Sequence, residues 1–105
     1  MNILKQVSAR GKVASAVDII HNTIDGGDKL IVFCFLKEVV AALKAEFSKA
    51  VTVTGDDNDR QKQLSVDRFQ QDENCKLIIL NYRSGGTGLT LTAASNVLFV
   101  EFPWT

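Results

Sequence analysis

An unbroken aliphatic run at residues 77–80 is followed at once by a polar, glycine-rich segment. Such a run is typical of a strand that is covered on both faces, which is the situation in a parallel sheet. Neighbouring parallel strands need long crossover connections, usually helices. The run therefore predicts an α/β fold with helices packed on both faces of one sheet.

The other apolar segments alternate between helical and strand spacing. They predict helices from residue 12 to a turn at 25–28, at 36–47 and at about 59–71, strands at 29–35, 50–54, 77–80 and 97–102, and a short turn-helix at 89–94. This order predicts a three-layer α/β sandwich with a mostly parallel sheet and right-handed crossovers.

Three finer predictions concern the N-terminal segment and the helix at 59–71. Residues 1–10 are a predicted lead-in segment before a domain at 11–105, and their helical spacing indicates either a lead-in helix or the remnant of a longer element. In the helix at 59–71 we expect Leu64 and Phe69 to be buried and Val66 to lie at the boundary of that face. Asp57 or Asn58 is the expected N-cap of this helix, because both side chains accept hydrogen bonds from free first-turn N–H groups.

Composition excludes several classes of protein. The 105 residues suffice for one domain, and the formal charge of zero gives no overall basic field for nucleic acid. No apolar run is long enough for a membrane helix and no signal peptide is recognisable, so we expect an intracellular protein without a membrane partner. Cys34 and Cys75 are expected to be buried or half-buried reduced thiols, His21 is expected to be a surface or helix-edge residue, and a zinc site is not expected.

Three glycines occur within four positions after the strand at 77–80: Gly85, Gly86 and Gly88. In an open α/β sheet, ligands bind beyond the carboxyl ends of the strands. There, glycine N–H groups, the hydroxyls of Ser84 and Thr87 and the charge of Arg83 would suit a phosphate. The alternative is a plain strand-to-helix turn that binds nothing. No Gly-Lys-Ser/Thr follows, so this is not a P-loop.

Three blocks of the sequence resemble the second RecA-like lobe of Snf2-type ATPases, the superfamily 2 DNA translocases. They are KLIVFCF at 29–35, TGDDNDRQKQLSVDRFQ at 54–70 and LIILNYRSGGTGLTLTAASNVLFVEFPW at 77–104. The family pattern for the glycine block is roughly Ser/Thr-x-x-Ala-Gly-Gly-x-Gly-Leu-Asn/Thr-Leu-x-x-Ala. The resemblance implies an incomplete RecA-like lobe at 11–105.

The resemblance also implies contacts with double-stranded DNA. Phe35, Leu36 and Lys37 match the loop that ends helicase motif IV and would face DNA. Gly55 and Lys62 fall on a block in which a glycine turn and a helix N-terminus meet the DNA backbone. Lys62 stands where the family has arginine, and Asp56 stands where serine is usual.

Residues 83–88 match helicase motif V, which by resemblance touches both DNA and the ATP cleft. Asn81, Arg83 and Ser84 would contact the DNA backbone. Asn81 replaces a hydroxyl residue of the family pattern and Ser84 replaces alanine, and both side chains can donate hydrogen bonds. The residues implied for the ATP cleft are Gly85, Gly86, Thr87 and Gly88.

Several parts of such a motor are absent from the 105 residues. They are the first lobe with its Walker lysine and magnesium ligands, and motif VI with its arginines. We therefore expect a fragment of a larger ATP-dependent motor, in which ATP and Mg²⁺ are cofactors of the parent and the missing lobe 1 and the rest of lobe 2 are partners. For the isolated chain we expect no cofactor, no ATPase activity, and weak, salt-sensitive DNA binding.

The parent protein would be cytoplasmic in a prokaryote or phage and nuclear in a eukaryote. An exposed apolar end at Trp104 would favour self-association of the fragment. The alternative to the motor is a non-catalytic α/β interaction module, in which the glycine turn is structural and residues 102–104 form a docking surface.

Overall fold

The computed structural model describes residues 2–7, 13–81, 94 and 96–100. In this part of the chain the elements are β1 (Asn2–Val7), α1 (Val13–Asp25), β2 (Leu30–Cys34), α2 (Lys37–Glu46), β3 (Val51–Val53), α3 (Asp59–Gln71), β4 (Leu77–Asn81) and β5 (Asn96–Val100). Of the predicted turn-helix at 89–94, all but residue 94 lies outside the described residues.

The strands form one five-stranded sheet in the order β1-β5-β2-β4-β3. Every pair of neighbours is parallel. At the carboxyl end of the central strands, Cys34 of β2 lies opposite Asn81 of β4 and Val100 of β5. The parallel sheet predicted from the aliphatic run at residues 77–80 is confirmed.

Helices cover both faces of the sheet. Alternate residues along each strand point to opposite faces, so each of the central strands contributes to two separate apolar clusters. The cluster beneath α1 and α2 includes Ile20, Val32, Leu43, Ile79 and Leu98, and the cluster beneath α3 includes Ile31, Val53, Phe69, Ile78 and Leu80. The predicted three-layer architecture is therefore confirmed.

The first strand corrects one prediction. Residues 2–7 are not a lead-in helix but an edge strand that pairs with β5, from Asn2 opposite Asn96 to Val7 opposite Val100. Without residues 2–7, β5 would expose the backbone N–H and C=O groups along one of its edges. A segment that pairs with this edge gains hydrogen bonds, and the apolar spacing of the sequence does not reveal them. Tertiary pairing here overrides a weak local pattern.

Helix α3 begins where it was predicted to begin. Asn58 is its N-cap and forms a capping box: Asn58 Oδ1 accepts from Gln61 N at 2.8 Å, and Gln61 Oε1 accepts from Asn58 N at 2.9 Å. Two backbone donors that the helix leaves unsatisfied are thereby paired. Of the two predicted caps, Asn58 is confirmed.

Loss of this cap has a measurable cost. We expect Asn58→Ala to lower the free energy of unfolding by about 1 kcal/mol, because the N–H of Gln61 loses its partner at the start of α3. Urea denaturation followed by circular dichroism measures the change. Asn74→Ala, the same substitution at an exposed turn beyond the other end of α3, is the control and should be nearly neutral. Equal losses for the two variants would contradict the capping role.

The two cysteines are free and buried, as predicted. Cys34 packs in the cluster beneath α1 and α2, and Cys75 in the cluster beneath α3. Burial raises the pKa of the Cys75 thiol, because a thiolate would lose its hydration, although hydrogen bonding with the backbone of Leu77 acts in the opposite direction. Cys75 therefore remains a neutral thiol at physiological pH.

Candidate functional site

Three of the segments singled out in the sequence meet at one edge of the sheet. Since all described strands are parallel, the ends of β2, β3 and β4 point the same way. Residues 35–37 follow β2, residues 54–58 follow β3, and Asn81 ends β4. We call these residues together the carboxyl edge, which is where ligands bind in open α/β sheets.

Asn81 ties two of these segments together. Its side chain is 4% exposed, and it is the only buried polar side chain in the part of the chain that the structure describes. Asn81 Nδ2 donates a hydrogen bond to the carbonyl oxygen of Phe35 at 3.1 Å. The amide thus points inward, and holds the loop after β2 against the end of β4. A buried polar group must find such a partner, because an unpaired one would be costly.

Lys37 and Asp56 join the loop after β2 to the loop after β3. Lys37 Nζ lies 3.0 Å from Asp56 Oδ1, and the two side chains are 59% and 76% exposed. Strand β4 separates β2 from β3, so the loops that carry these residues stand about 10 Å apart at two strand spacings. The long lysine side chain bridges this gap across the end of β4.

Other hydrogen bonds hold the loop after β3. Thr54 N donates to Asp57 Oδ2 at 2.9 Å, and Asp57 N donates to the carbonyl of Thr54 at 3.1 Å. Asp56 N donates to Thr54 Oγ1 at 3.3 Å. Gly55 lies exposed in this turn. The loop is therefore shaped by Thr54 and Asp57, while the carboxylate of Asp56 is directed to Lys37.

The start of α2 contributes backbone donors to the carboxyl edge. Leu36 is the N-cap residue, its side chain is 37% exposed, and no side chain caps the helix. A helix N-terminus attracts anions through its free N–H groups and its dipole. Lys62 lies in the second turn of α3, half-buried, and no ion pair to it occurs among the described residues.

The remaining predicted site residues lie outside the described residues: Arg83, Ser84, Gly85, Gly86, Thr87 and Gly88. The same is true of Trp104, so the predicted self-association through the chain end stays a prediction. Within residues 16–81, 94 and 96–100, no group of three or more His, Cys, Asp and Glu side chains is placed to hold a metal ion. None of the helices that the structure describes has the length and apolar character needed to cross a membrane.

Sequence reasoning missed the interactions that organise the carboxyl edge. The pairing of Lys37 with Asp56 joins residues 19 positions apart and depends on the strand order, which no local pattern reveals. The spacing of Thr54 and Asp57 gave a usable signal, since Asp and Thr commonly bond backbone groups within turns.

A cavity among the described residues lies elsewhere. It has a volume of about 350 Å³ and is lined by apolar residues such as Ile24, Phe47 and Leu77 together with charged residues such as Lys49 and Lys76. Leu77 begins β4, so this cavity opens at the amino edge of the sheet. In an open α/β sheet the amino edge is not the usual position of a ligand, so the carboxyl edge remains the candidate site.

Comparison with protein families and curated proteins identifies relatives of the chain. Residues 11–105 match the helicase conserved C-terminal domain. Helicase SWR1 of Yarrowia lipolytica is 29% identical over 98 residues, which are 90% of this chain and 6% of that protein. The bifunctional helicase and thymine dioxygenase JBP2 of Trypanosoma brucei brucei is 26% identical over 93% of this chain and 10% of its own length. The chain thus spans a small part of these relatives.

Solved structures show the same fold. The C-terminal part of the Fun30 ATPase domain superposes with a TM-score of 0.74 and 25% identity, over 86% of this chain and 31% of that one. The C-terminal domain of the SWI2/SNF2 ATPase of Sulfolobus solfataricus gives a TM-score of 0.70 at 21% identity, over 86% and 49%. The chain therefore belongs to the family of helicase conserved C-terminal domains, and corresponds to part of the second RecA-like lobe of an Snf2-type ATPase.

Proposed function

We propose that this chain supplies DNA-backbone contacts to an ATP-dependent DNA translocase of the Snf2 type. The observation that carries the proposal is the meeting of residues 35–37, the turn at Gly55, and Asn81 at one edge of the sheet. The resemblance assigned these segments to DNA from sequence alone, and they are far apart along the chain. A shared surface is what a bound DNA backbone would require.

The proposed roles follow from exposure and charge. Lys37 and Lys62 neutralise phosphates, and the exposed turn at Gly55 and the N-terminus of α2 offer backbone N–H groups. Asn81 acts indirectly, because its amide is buried and positions the Phe35 loop. Arg83 and Ser84 are proposed as further backbone contacts that continue from the end of β4.

The charge balance of this edge predicts weak binding. Asp56, Asp57 and Asp59 accompany the two lysines, and the whole chain has a formal charge of zero. Few phosphates can be neutralised by such a surface, so affinity should be low and should fall with added salt. Tight binding would require the remainder of the parent protein.

Nucleotide chemistry is proposed for the parent protein. Residues 85–88 would face the ATP cleft, and the Walker lysine and the magnesium ligands would come from the first lobe, as the family resemblance implies. Phosphoryl transfer depends mainly on positioning and charge stabilisation by such groups. For the isolated chain we therefore propose no ATP turnover. The parent would act wherever DNA is found, in the nucleus of a eukaryote or the cytoplasm of a prokaryote.

DNA binding by the 105-residue chain tests the proposal. Fluorescence anisotropy with a labelled DNA duplex, measured over a series of salt concentrations, gives the salt slope of the affinity. We expect the double variant that carries Lys37→Gln and Lys62→Gln to have a shallower salt dependence. The magnitude of the slope of log K, the association constant, against log salt should fall by about 0.9 for each phosphate that the protein no longer neutralises. The physical reason is that each neutralised phosphate releases its condensed counterions.

The control removes the same charge from the opposite edge. Lys49 lies two residues before β3 and Lys76 directly before β4, at the amino edge of the sheet. Lys49→Gln/Lys76→Gln should bind DNA with the slope of the unmodified chain. Equal reductions for the two double variants, or an affinity that does not respond to salt, would exclude the carboxyl edge as the DNA surface.

A further inference from the structure

Asp56 occupies an unusual place in the proposed DNA surface. Its carboxylate is 76% exposed and lies 3.0 Å from the ammonium group of Lys37, the residue proposed to meet a phosphate. A carboxylate and a phosphate are both anions that accept hydrogen bonds from lysine. They therefore compete for the same donor.

We propose that Asp56 is an intramolecular competitor for the phosphate that Lys37 binds, and so lowers the DNA affinity of this lobe. The inference rests on the proposed function. In the free chain Lys37 is paired with Asp56. When DNA binds, Lys37 either leaves Asp56 or holds both anions at once, and in the second case the carboxylate is brought close to the phosphate.

Both routes reduce affinity by a modest amount. An ion pair this exposed is weak, because water and salt screen it, so a phosphate can displace the carboxylate. Retaining the pair instead places two negative charges near one another, which is unfavourable. The pair thus weakens the contact without abolishing it, which suits a motor lobe that must release one phosphate before it binds the next.

The carboxylate is not required for the shape of its own loop. The turn is held by the bonds between Thr54 and Asp57, and the contact of Asp56 with Thr54 uses its backbone N–H. Asn58 and Gln61 fix the start of α3 independently. Replacing Asp56 with asparagine therefore removes the charge and leaves these bonds in place.

A double-mutant cycle of Asp56→Asn and Lys37→Gln tests the proposal by anisotropy with a labelled DNA duplex at low salt. We expect Asp56→Asn alone to raise the affinity about two- to fivefold, the range that corresponds to a weak surface ion pair. In the Lys37→Gln background the same substitution should have a much smaller effect, because the contested donor is gone. Asp28→Asn, the same charge change in the turn before β2, is the control and should not alter affinity.

The outcomes separate this inference from the proposed function. If Lys37→Gln weakens binding but Asp56→Asn does not strengthen it, the competitor role is excluded while the DNA contact stands. If Asp56→Asn strengthens binding equally with and without Lys37, the carboxylate acts as a general repulsive charge and the competition is excluded. If Lys37→Gln leaves affinity and salt slope unchanged, Lys37 makes no DNA contact. The proposed phosphate contact of Lys37 and the competitor role of Asp56 are then both excluded.

Discussion

Phe69→Ala is expected to lower the free energy of unfolding by about 3–5 kcal/mol, the usual cost of removing a buried aromatic side chain. Phe69 is fully buried on α3, and it belongs to the apolar cluster with Val53, Ile78 and Leu80. Its loss would leave a cavity between the helix and the strands β3 and β4. A domain of this size has a total stability of only about 5–15 kcal/mol, so the variant should be close to unfolding.

A second interaction depends on the same ring. Lys29 Nζ lies 5.2 Å from the centroid of the Phe69 ring and donates to the carbonyl oxygens of Phe69 and Asp72, the latter at 3.0 Å. The ammonium thus pairs with carbonyl groups at the C-terminal end of α3, where a positive charge is favourable. Alanine would remove the ring beneath this charge and loosen the end of the helix.

Urea denaturation followed by circular dichroism measures the expected loss, and Phe69→Leu should lose about 1 kcal/mol because most of the volume is kept. Leu64→Ala is the matched control on the same helix. Leu64 is 58% exposed, so its truncation should change stability by no more than about 0.5 kcal/mol. A loss from Leu64→Ala as large as that from Phe69→Ala would contradict the orientation of α3.

The helical pattern predicted the position of α3 but only in part which of its apolar side chains are buried. The sequence predicted α3 at residues 59–71, its cap, and the burial of Phe69 correctly. It assigned Leu64 to the buried face and Val66 to the boundary, whereas Val66 is 3% exposed and Leu64 is largely exposed. The rotation of a helix about its axis is set by the strands beneath it, here β3 and β4, and hydrophobicity alone does not decide between two nearby apolar residues.

The strands were predictable for a different reason. Aliphatic runs at β2 and β4 are buried on both faces, and this requires helices above and below, whatever the order of the strands. The order itself was not predictable, since it depends on which strand edges meet. Residues 2–7 and the Lys37–Asp56 pair both follow from that order, and both escaped the sequence interpretation.

The hydrogen bonds and the ion pair within the carboxyl edge were not predicted from the sequence, and the role of this edge in DNA binding stays a prediction. Residues 35–37, Gly55 and Asn81 were each assigned to DNA separately, by resemblance to a family pattern. That pattern does not specify that the amide of Asn81 turns inward to the Phe35 carbonyl, because the family carries a hydroxyl residue there. A carboxamide reaches farther than a hydroxyl and supplies N–H donors, so it can bond across to the neighbouring strand.

Asn81→Asp is expected to make the stability of the chain depend strongly on pH. The introduced carboxyl would stand in a site that is 4% exposed, facing the Phe35 carbonyl oxygen. When protonated it can donate the hydrogen bond that Asn81 now makes. When ionised it is an acceptor facing another acceptor, and it is poorly hydrated. Burial and this repulsion should raise its pKa in the folded state above the value of about 3.9 in the unfolded chain.

The sign of the effect follows from that shift. A carboxyl group whose pKa is raised by folding favours the folded state when protonated, so its contribution is present below about pH 3.9 and is lost as the pH rises through the folded-state value. The variant should then be close to the unmodified chain in acid. At neutral pH it should be less stable by about 3–4 kcal/mol, which corresponds to a shift of two to three pKa units.

The difference in unfolding free energy between Asn81→Asp and the unmodified chain, measured in urea at mildly acidic and at neutral pH, isolates this group from others that titrate in both proteins. Asn74→Asp introduces the same carboxyl at an exposed position and should show a flat difference. Among the described residues of the carboxyl edge, the ammonium group of Lys37 is already paired with Asp56 across the end of β4. A difference for Asn81→Asp that is small and independent of pH would mean that the ionised carboxylate is accommodated, and that the bond to Phe35 does not hold the carboxyl edge together.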